Sequence, residues 1–144
     1  MIVNPNEAGL MNIGDYVQAL AARQYFPNID ILLDRDNDLA SYQGEEVRMI
    51  MNGWFMDHPE NFPPSHQIKP LLISFHINSY GLPSLLRKEC VDFFKKNQPV
   101  GCRDQHTVEL LKEKGVDAYF SGCLTLTLGK TYKYEGERHG IYFV

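Results

Sequence analysis

The chain has 144 residues and 16.6 kDa, with 14 Lys and Arg against 18 Asp and Glu, a formal net charge of −4, and 44% hydrophobic residues. That length fits one domain with a sizeable core, and 8 Phe, 8 Tyr and 1 Trp at so small a net charge exclude intrinsic disorder. No Lys/Arg stripe, no apolar run near the roughly 18 residues a bilayer span needs, and no basic-then-apolar leader occurs, so nucleic-acid-binding, transmembrane and secreted classes are set aside.

Ile13 to Tyr25 reads as an amphipathic helix, with Ile13, Val17, Leu20, Ala21 and Gln24 on one face. Asn12 suits its N-cap, Asp15 its first turn, and Pro27 ends it. Ile29 to Leu33 is a short apolar run that predicts a buried strand, and Asp34-Arg35-Asp36-Asn37-Asp38 reads as a polar loop. Val47 to Met51 is a second apolar run, closed by Asn52-Gly53. After a proline-rich loop over 58–70, Leu71 to Ile77 is a third. Asn78 to Gly81 is a turn, and Pro83 opens a helix whose apolar side carries Leu82, Leu85, Leu86, Cys90, Phe93 and Phe94.

Val100 to Cys102 predicts a very short strand. Asp104 caps the next helix, with Val108 and Leu111 inward and Gly115 as its left-handed stop. Val116 to Phe120 is the next apolar run; Leu124 to Leu128 fits either a strand or a short helix, and 130–139 is polar. Helices alternating with short apolar runs predict an α/β domain, a mostly parallel sheet flanked by helices. The last residues, 140–144, read either as the opening of a strand leading to a further unit or as an edge strand of a domain over 1–139.

Three cysteines (Cys90, Cys102, Cys123) are odd in number and widely spaced, which argues against a disulfide framework and favours a reducing, cytoplasmic compartment. Cys102 and His106 have no second pair at metal-ligand spacing, so a structural zinc site is rejected. Cys123 has no base marked out for it and reads as a small buried hydrophobe. Glycine-rich nucleotide loops and the G-x-S-x-G and H-E-x-x-H signatures are absent.

In open α/β sheets, ligands bind beyond the carboxyl ends of the strands. The segments that qualify are Asn12-Ile13-Gly14-Asp15, Asn52-Gly53-Trp54-Phe55, Ser74 to Asn78, and Gly101 to Asp104. Asn12 and Gly14 suit either an ordinary cap or the close approach of an anion or hydroxyl to free helix N–H groups. Arg103, between an apolar strand and a helix cap, either clamps a carboxylate or phosphate bidentately or forms a salt bridge with Asp104 or another carboxylate. His76 is either a hydrogen-bonded core group or an acid/base. Trp54 either stacks on a sugar ring or packs in the core.

Several segments together resemble the polysaccharide pyruvyl transferase family. They are Asn12 to Ala21, Met51-Asn52-Gly53-Trp54-Phe55, Ile73-Ser74-Phe75-His76, Gly101-Cys102-Arg103-Asp104 with Thr107, and Phe120 to Leu128, in order along the chain. The resemblance implies one Rossmann-like lobe of a two-lobed, GT-B-like fold. It implies transfer of a pyruvyl group from phosphoenolpyruvate to a saccharide of a cell-surface polysaccharide, as a cyclic ketal, with no metal or organic cofactor. It implies that Arg103 binds the donor, that His76 is a catalytic candidate, and that Asn12, Gly14, Asp15, Asn52 and Trp54 line the cleft or hold the acceptor. The family's further Arg and His block belongs to a C-terminal lobe, so this chain alone is expected to be inactive, with that lobe or a homo-oligomer partner completing the site. The alternatives are a GT-B-type lobe using a nucleotide sugar and a non-catalytic saccharide-binding remnant.

Overall fold

Val47, Met49 and Met51 alternate with Arg48 and Ile50, the period of a strand with one face on a core. The computed structural model describes residues 12–55, 57–137 and 139–140, and there this run is β1 (Val47–Trp54). It pairs with β2 (Ile68–His76), β2 with β3 (Val100–Cys102), and β3 with β4 (Ala118–Phe120). Every pairing is parallel and the strands lie in chain order. Helices α2 (Leu82–Leu85), α3 (Lys88–Lys96) and α4 (Gln105–Glu113) carry the crossovers after β2 and β3. They bury Leu85, Phe94 and Leu111 against Met51, Leu72, Phe75 and Val100 of the sheet. On the other side, α1 (Ile13–Arg23) packs on β1 and on a 3-10 helix, Leu124–Lys130. The expected α/β lobe is therefore present, with a sheet that is wholly parallel among the described residues.

Three expectations change. The run Ile29 to Leu33 forms no strand: only Leu33 is buried, and Ile29, Ile31 and Leu32 line a cavity of about 690 Å³ between α1 and the edge of β1 that no strand pairs among the described residues. The helix opened by Pro83 is two helices. It breaks at Arg87, whose guanidinium donates to the carbonyls of Ser84, Pro59, Glu60 and Phe62 and so ties the proline-rich loop to the helix junction. Leu124 to Leu128 resolves as the 3-10 helix. The strand expected over 140–144 lies outside the described residues, except for Gly140.

The third change is the buried face of α1. Ile13 is 78% and Leu20 47% exposed, whereas Asp15 and Ala21 are buried. Polar anchors and close approach override the apolar stripe. Asn52 Nδ2 donates to the Gln18 carbonyl at 3.0 Å, Asp15 pairs with Arg35, and the small Ala21 lets the helix sit low on the strand. Gly53 completes that approach. Its φ is +98°, and a Cβ there would lie 1.8 Å from Gln18 Oε1. Gly53→Ala is expected to cost about 1–3 kcal/mol, since φ +98° is strained for any residue with a Cβ, whereas the Gln18 amide is the tip of a flexible side chain and can swing aside. Urea unfolding of the variant checks this; an unchanged midpoint would refute the backbone strain.

Candidate functional site

The carboxyl ends of the strands hold the candidate residues because β2 departs from simple alternation. Met51 faces Leu72 across the β1–β2 ladder and Gly53 faces Phe75, so β2 carries one residue more than β1 over this stretch. The extra residue is a bulge, with Ser74 at φ +55°. Strict alternation from the core-facing Leu72 would turn residue 76 inward and residue 75 outward. The bulge reverses that parity: Phe75 is fully buried and the His76 side chain keeps 22% exposure. Ser74 is locked in place, its amide donating to Ser121 Oγ (3.1 Å) and its hydroxyl to the Gly122 carbonyl (2.8 Å).

His76 then meets the N-terminus of α4. Asp104 caps that helix, accepting from the Thr107 amide through Oδ1 at 2.8 Å. Its Oδ2 lies 2.7 Å from His76 Nδ1. The Thr107 hydroxyl, completely buried, approaches both carboxylate oxygens at 3.0 Å and accepts from the Ile77 amide at 3.0 Å. Burial pushes the Asp104 carboxyl up, but the Thr107 amide, the His76 ring and the Thr107 hydroxyl outweigh it and hold the group below its ordinary value.

Arg103 follows the core-facing Cys102, and its amide donates to the Phe75 carbonyl at 3.0 Å, which sets it beside the end of β2. The alternative pairing with Asp104 does not form, because His76 takes that carboxylate. Among the described residues, the half-buried Arg103 guanidinium makes no ion pair and no hydrogen bond.

On the β1 side, a residue read as loop proves central. The Arg35 side chain is 1% exposed and contacts Asp15 (3.3 Å), Asp36 (3.1 Å) and Asp57 (2.8 Å). Its Cζ sits 5.8 Å from the centre of the Trp54 ring. Asp15 is thus buried in an ion pair and is not free to meet an acceptor, a different position from the one expected for it. Trp54 in turn stands opposite His76 in the ladder. Asn52 Oδ1 and Trp54 Nε1, an acceptor and a donor two residues apart on β1, are buried without a partner among the described residues.

Asn12 caps α1 as expected, its Oδ1 accepting from the Gly14 amide at 2.9 Å. Both lie at the N-terminus of α1, and no hydrogen bond joins them to His76 or Asp104 among the described residues. The three cysteines are free. Burial pushes the Cys90 thiol up to about 11 and the Cys102 thiol up to about 12, so both stay protonated and unreactive. A cavity of about 710 Å³ opens elsewhere, between Leu71 and Ile73 of β2, Tyr25 and Phe26 just after α1, and the 3-10 helix, without reaching His76 or Arg103. Among the described residues, no helix is long and apolar enough to cross a membrane, and no His, Cys, Asp and Glu cluster could hold a metal ion.

Missing from the sequence reading were Arg35, Ser74 with Ser121, and the second role of Asp104. A signal existed for Arg35: one cation set among Asp34, Asp36 and Asp38 directly after an apolar residue.

At the carboxyl ends of β2 and β3, then, stand an Asp104-held imidazole and, next along the chain from β3, an arginine whose guanidinium has no partner among the described residues. Residues 12–143 match the family described as polysaccharide pyruvyl transferase, and the chain belongs to that transferase family. No curated protein and no solved structure matches the chain.

Proposed function

We propose that the chain serves the transfer of a pyruvyl group from phosphoenolpyruvate to two hydroxyls of a saccharide destined for a cell-surface polysaccharide. In that reaction a proton reaches the methylene carbon of the donor. Two acceptor oxygens bond to its central carbon, and phosphate leaves with the electron pair of its C–O bond. Of the two hydroxyl protons released, one balances the new methyl group and the other leaves on phosphate. No metal or organic cofactor enters the scheme.

The observation that carries this reading is Arg103, unpaired among the described residues, with its backbone joined to the end of β2 that carries His76. A donor bearing both a carboxylate and a phosphate calls for a planar, permanently charged fork, and Arg103 has no competing carboxylate among the described residues. The unpartnered Asn52 Oδ1 and Trp54 Nε1 suit a polyhydroxylic acceptor. Asn12 and Gly14 would form the floor of the cleft, with Asp15 bracing its wall through Arg35. A second, GT-B-like lobe would close over this end of the sheet and supply the acid that protonates the donor. Free thiols suit a cytoplasmic enzyme acting on a polysaccharide precursor.

Calorimetric titration with phosphoenolpyruvate tests the reading. The protein should bind it, and Arg103→Ala should weaken binding by about 100-fold, the loss of roughly 3 kcal/mol of charge-assisted hydrogen bonding. Arg103→Lys should recover only part of that, since an ammonium lacks the fork. No binding by the unaltered chain, or equal binding by Arg103→Ala, would refute the assignment.

A further inference from the structure

The Asp104 carboxylate is over-determined. Oδ1 is held by the Thr107 amide, and the Thr107 hydroxyl, itself pinned by the Ile77 amide, reaches both oxygens. A carboxylate in this position cannot turn away from His76. An ionised carboxylate only accepts hydrogen bonds, so a ring nitrogen 2.7 Å from Oδ2 must carry a hydrogen. That nitrogen is Nδ1. In the neutral ring Nε2 then holds the lone pair, and among the described residues nothing bonds to it. Three elements meet here: the end of β2, the first turn of α4 and, through the Phe75–Cys102 pairing, the end of β3.

We infer that Asp104 and Thr107 are positioning residues that fix His76 as the Nδ1–H tautomer, so that Nε2 accepts the proton of the acceptor hydroxyl as its oxygen attacks the donor's central carbon. The inference rests on the pyruvyl-transfer reading and deepens it: His76 becomes the base on the acceptor side and is not the acid that protonates the donor. In the step, an oxygen lone pair forms the new O–C bond while the electrons of the broken O–H bond remain on oxygen. The proton moves to Nε2, and the imidazolium so formed is stabilised by Asp104 until the proton passes to the departing phosphate.

Asp104→Asn is the informative variant. Asparagine is an equally good cap, so the helix start is kept. The Thr107 amide still requires an oxygen at its side of residue 104, which forces the new NH2 group toward His76. Nδ1 must then accept, and the hydrogen moves to Nε2, leaving no base toward the acceptor.

The experiment is nitrogen NMR of the His76 ring in the full chain, paired with phosphoenolpyruvate-dependent transfer to a saccharide. The unaltered chain should show Nδ1–H, and Asp104→Asn should show Nε2–H with kcat lowered about 10²–10⁴-fold. An Nε2–H ring in the unaltered chain, or the same tautomer in Asp104→Asn as in the parent, overturns the inference whatever the turnover. An Nδ1–H ring without phosphoenolpyruvate-dependent turnover by the chain and its second lobe overturns the pyruvyl reading and its base step, while the tautomer stands.

Discussion

Arg35→Met is expected to cost the fold about 3–5 kcal/mol, the range for stripping a buried ion pair of one partner. In a domain of this size that lowers Tm by about 10–20 °C. One guanidinium here serves three carboxylates, two of them, Asp15 and Asp36, buried. Removing it leaves an uncompensated negative cluster under the N-terminus of α1 and a Trp54 ring stripped of its cation. Arg35→Lys should recover little, because a point charge cannot reach Asp15, Asp36 and Asp57 in three directions at once. Asp57→Asn should cost less than about 1 kcal/mol, since that carboxylate is 42% exposed and water already screens it. Thermal unfolding of the three variants decides the matter. Equal losses for Arg35→Met and Asp57→Asn would show that the cluster is an ordinary surface network.

The cluster also sets the sign of a pH effect. Burial would lower the Arg35 pKa, but its hydrogen bond and charge contact with Asp36, with Asp15 and Asp57 adding, raise it above the ordinary value. Burial pushes the Asp36 carboxyl up, and although Arg35 pulls it down, Asp57 and Asp34 help to leave it above its ordinary value. A carboxyl raised in the folded state opposes folding once ionised, so this contribution worsens as pH climbs from the unfolded value through the folded one. Asp104 runs the other way: its lowered pKa stabilises the fold above the ordinary carboxylate range, and that help is lost as pH falls through its folded value. In Arg35→Met the Asp36 carboxyl loses the partner that pulls it down, so it rises further and protonates sooner. The stability gap between variant and parent should therefore narrow from neutral pH to about pH 4, where unperturbed carboxyls titrate.

Strands β1 to β4 and helix α4 were legible because their cause is local. Val100 to Cys102 is apolar and short, Asp104 caps, and Gly115 at φ +72° stops the helix. His76 and Arg103 were legible as candidates because both end apolar runs. Their environment was not. The Asp104 carboxylate could have gone to either, and only the bulge at Ser74, held by Ser121 and Gly122 from 47 and 48 residues away, gives it to His76. The face of α1 was misread for a related reason. Periodicity registers where apolar side chains fall, but Gly53, Ala21 and the Asp15–Arg35 pair decide which side can approach the sheet. Ile29 to Leu33 shows the limit of composition: an apolar run becomes a strand only if a neighbouring edge accepts it.

Phe75→Ala is expected to be the most damaging single change to the core. The ring is fully buried and stacks nearly parallel on Phe55, with centroids 5.4 Å apart and planes 4° apart. It meets Phe94 edge-on at 5.3 Å and Phe62 at 5.9 Å. Truncating a buried phenylalanine costs about 3–5 kcal/mol, and each well-formed aromatic pair adds about 0.5–1.5 kcal/mol beyond its area. Against a typical total of about 5–15 kcal/mol, that loss takes a large share of the stability. The position also bears on the site, because Phe75 is the residue whose burial the Ser74 bulge secures. Alanine removes the reason for residue 75 to face inward, and with it the constraint that turns His76 toward Asp104. Phe75→Leu keeps an inward apolar anchor and should preserve that orientation at a smaller cost. Urea unfolding should therefore rank alanine well below leucine. The His76 ring should keep its Asp104 hydrogen bond, read from its nitrogen shifts, in the leucine variant and lose its single environment in the alanine one. A folded alanine variant with an unchanged His76 signal would mean that Ser121 and Gly122 alone hold the bulge, and that the aromatic cluster contributes to stability without orienting the site.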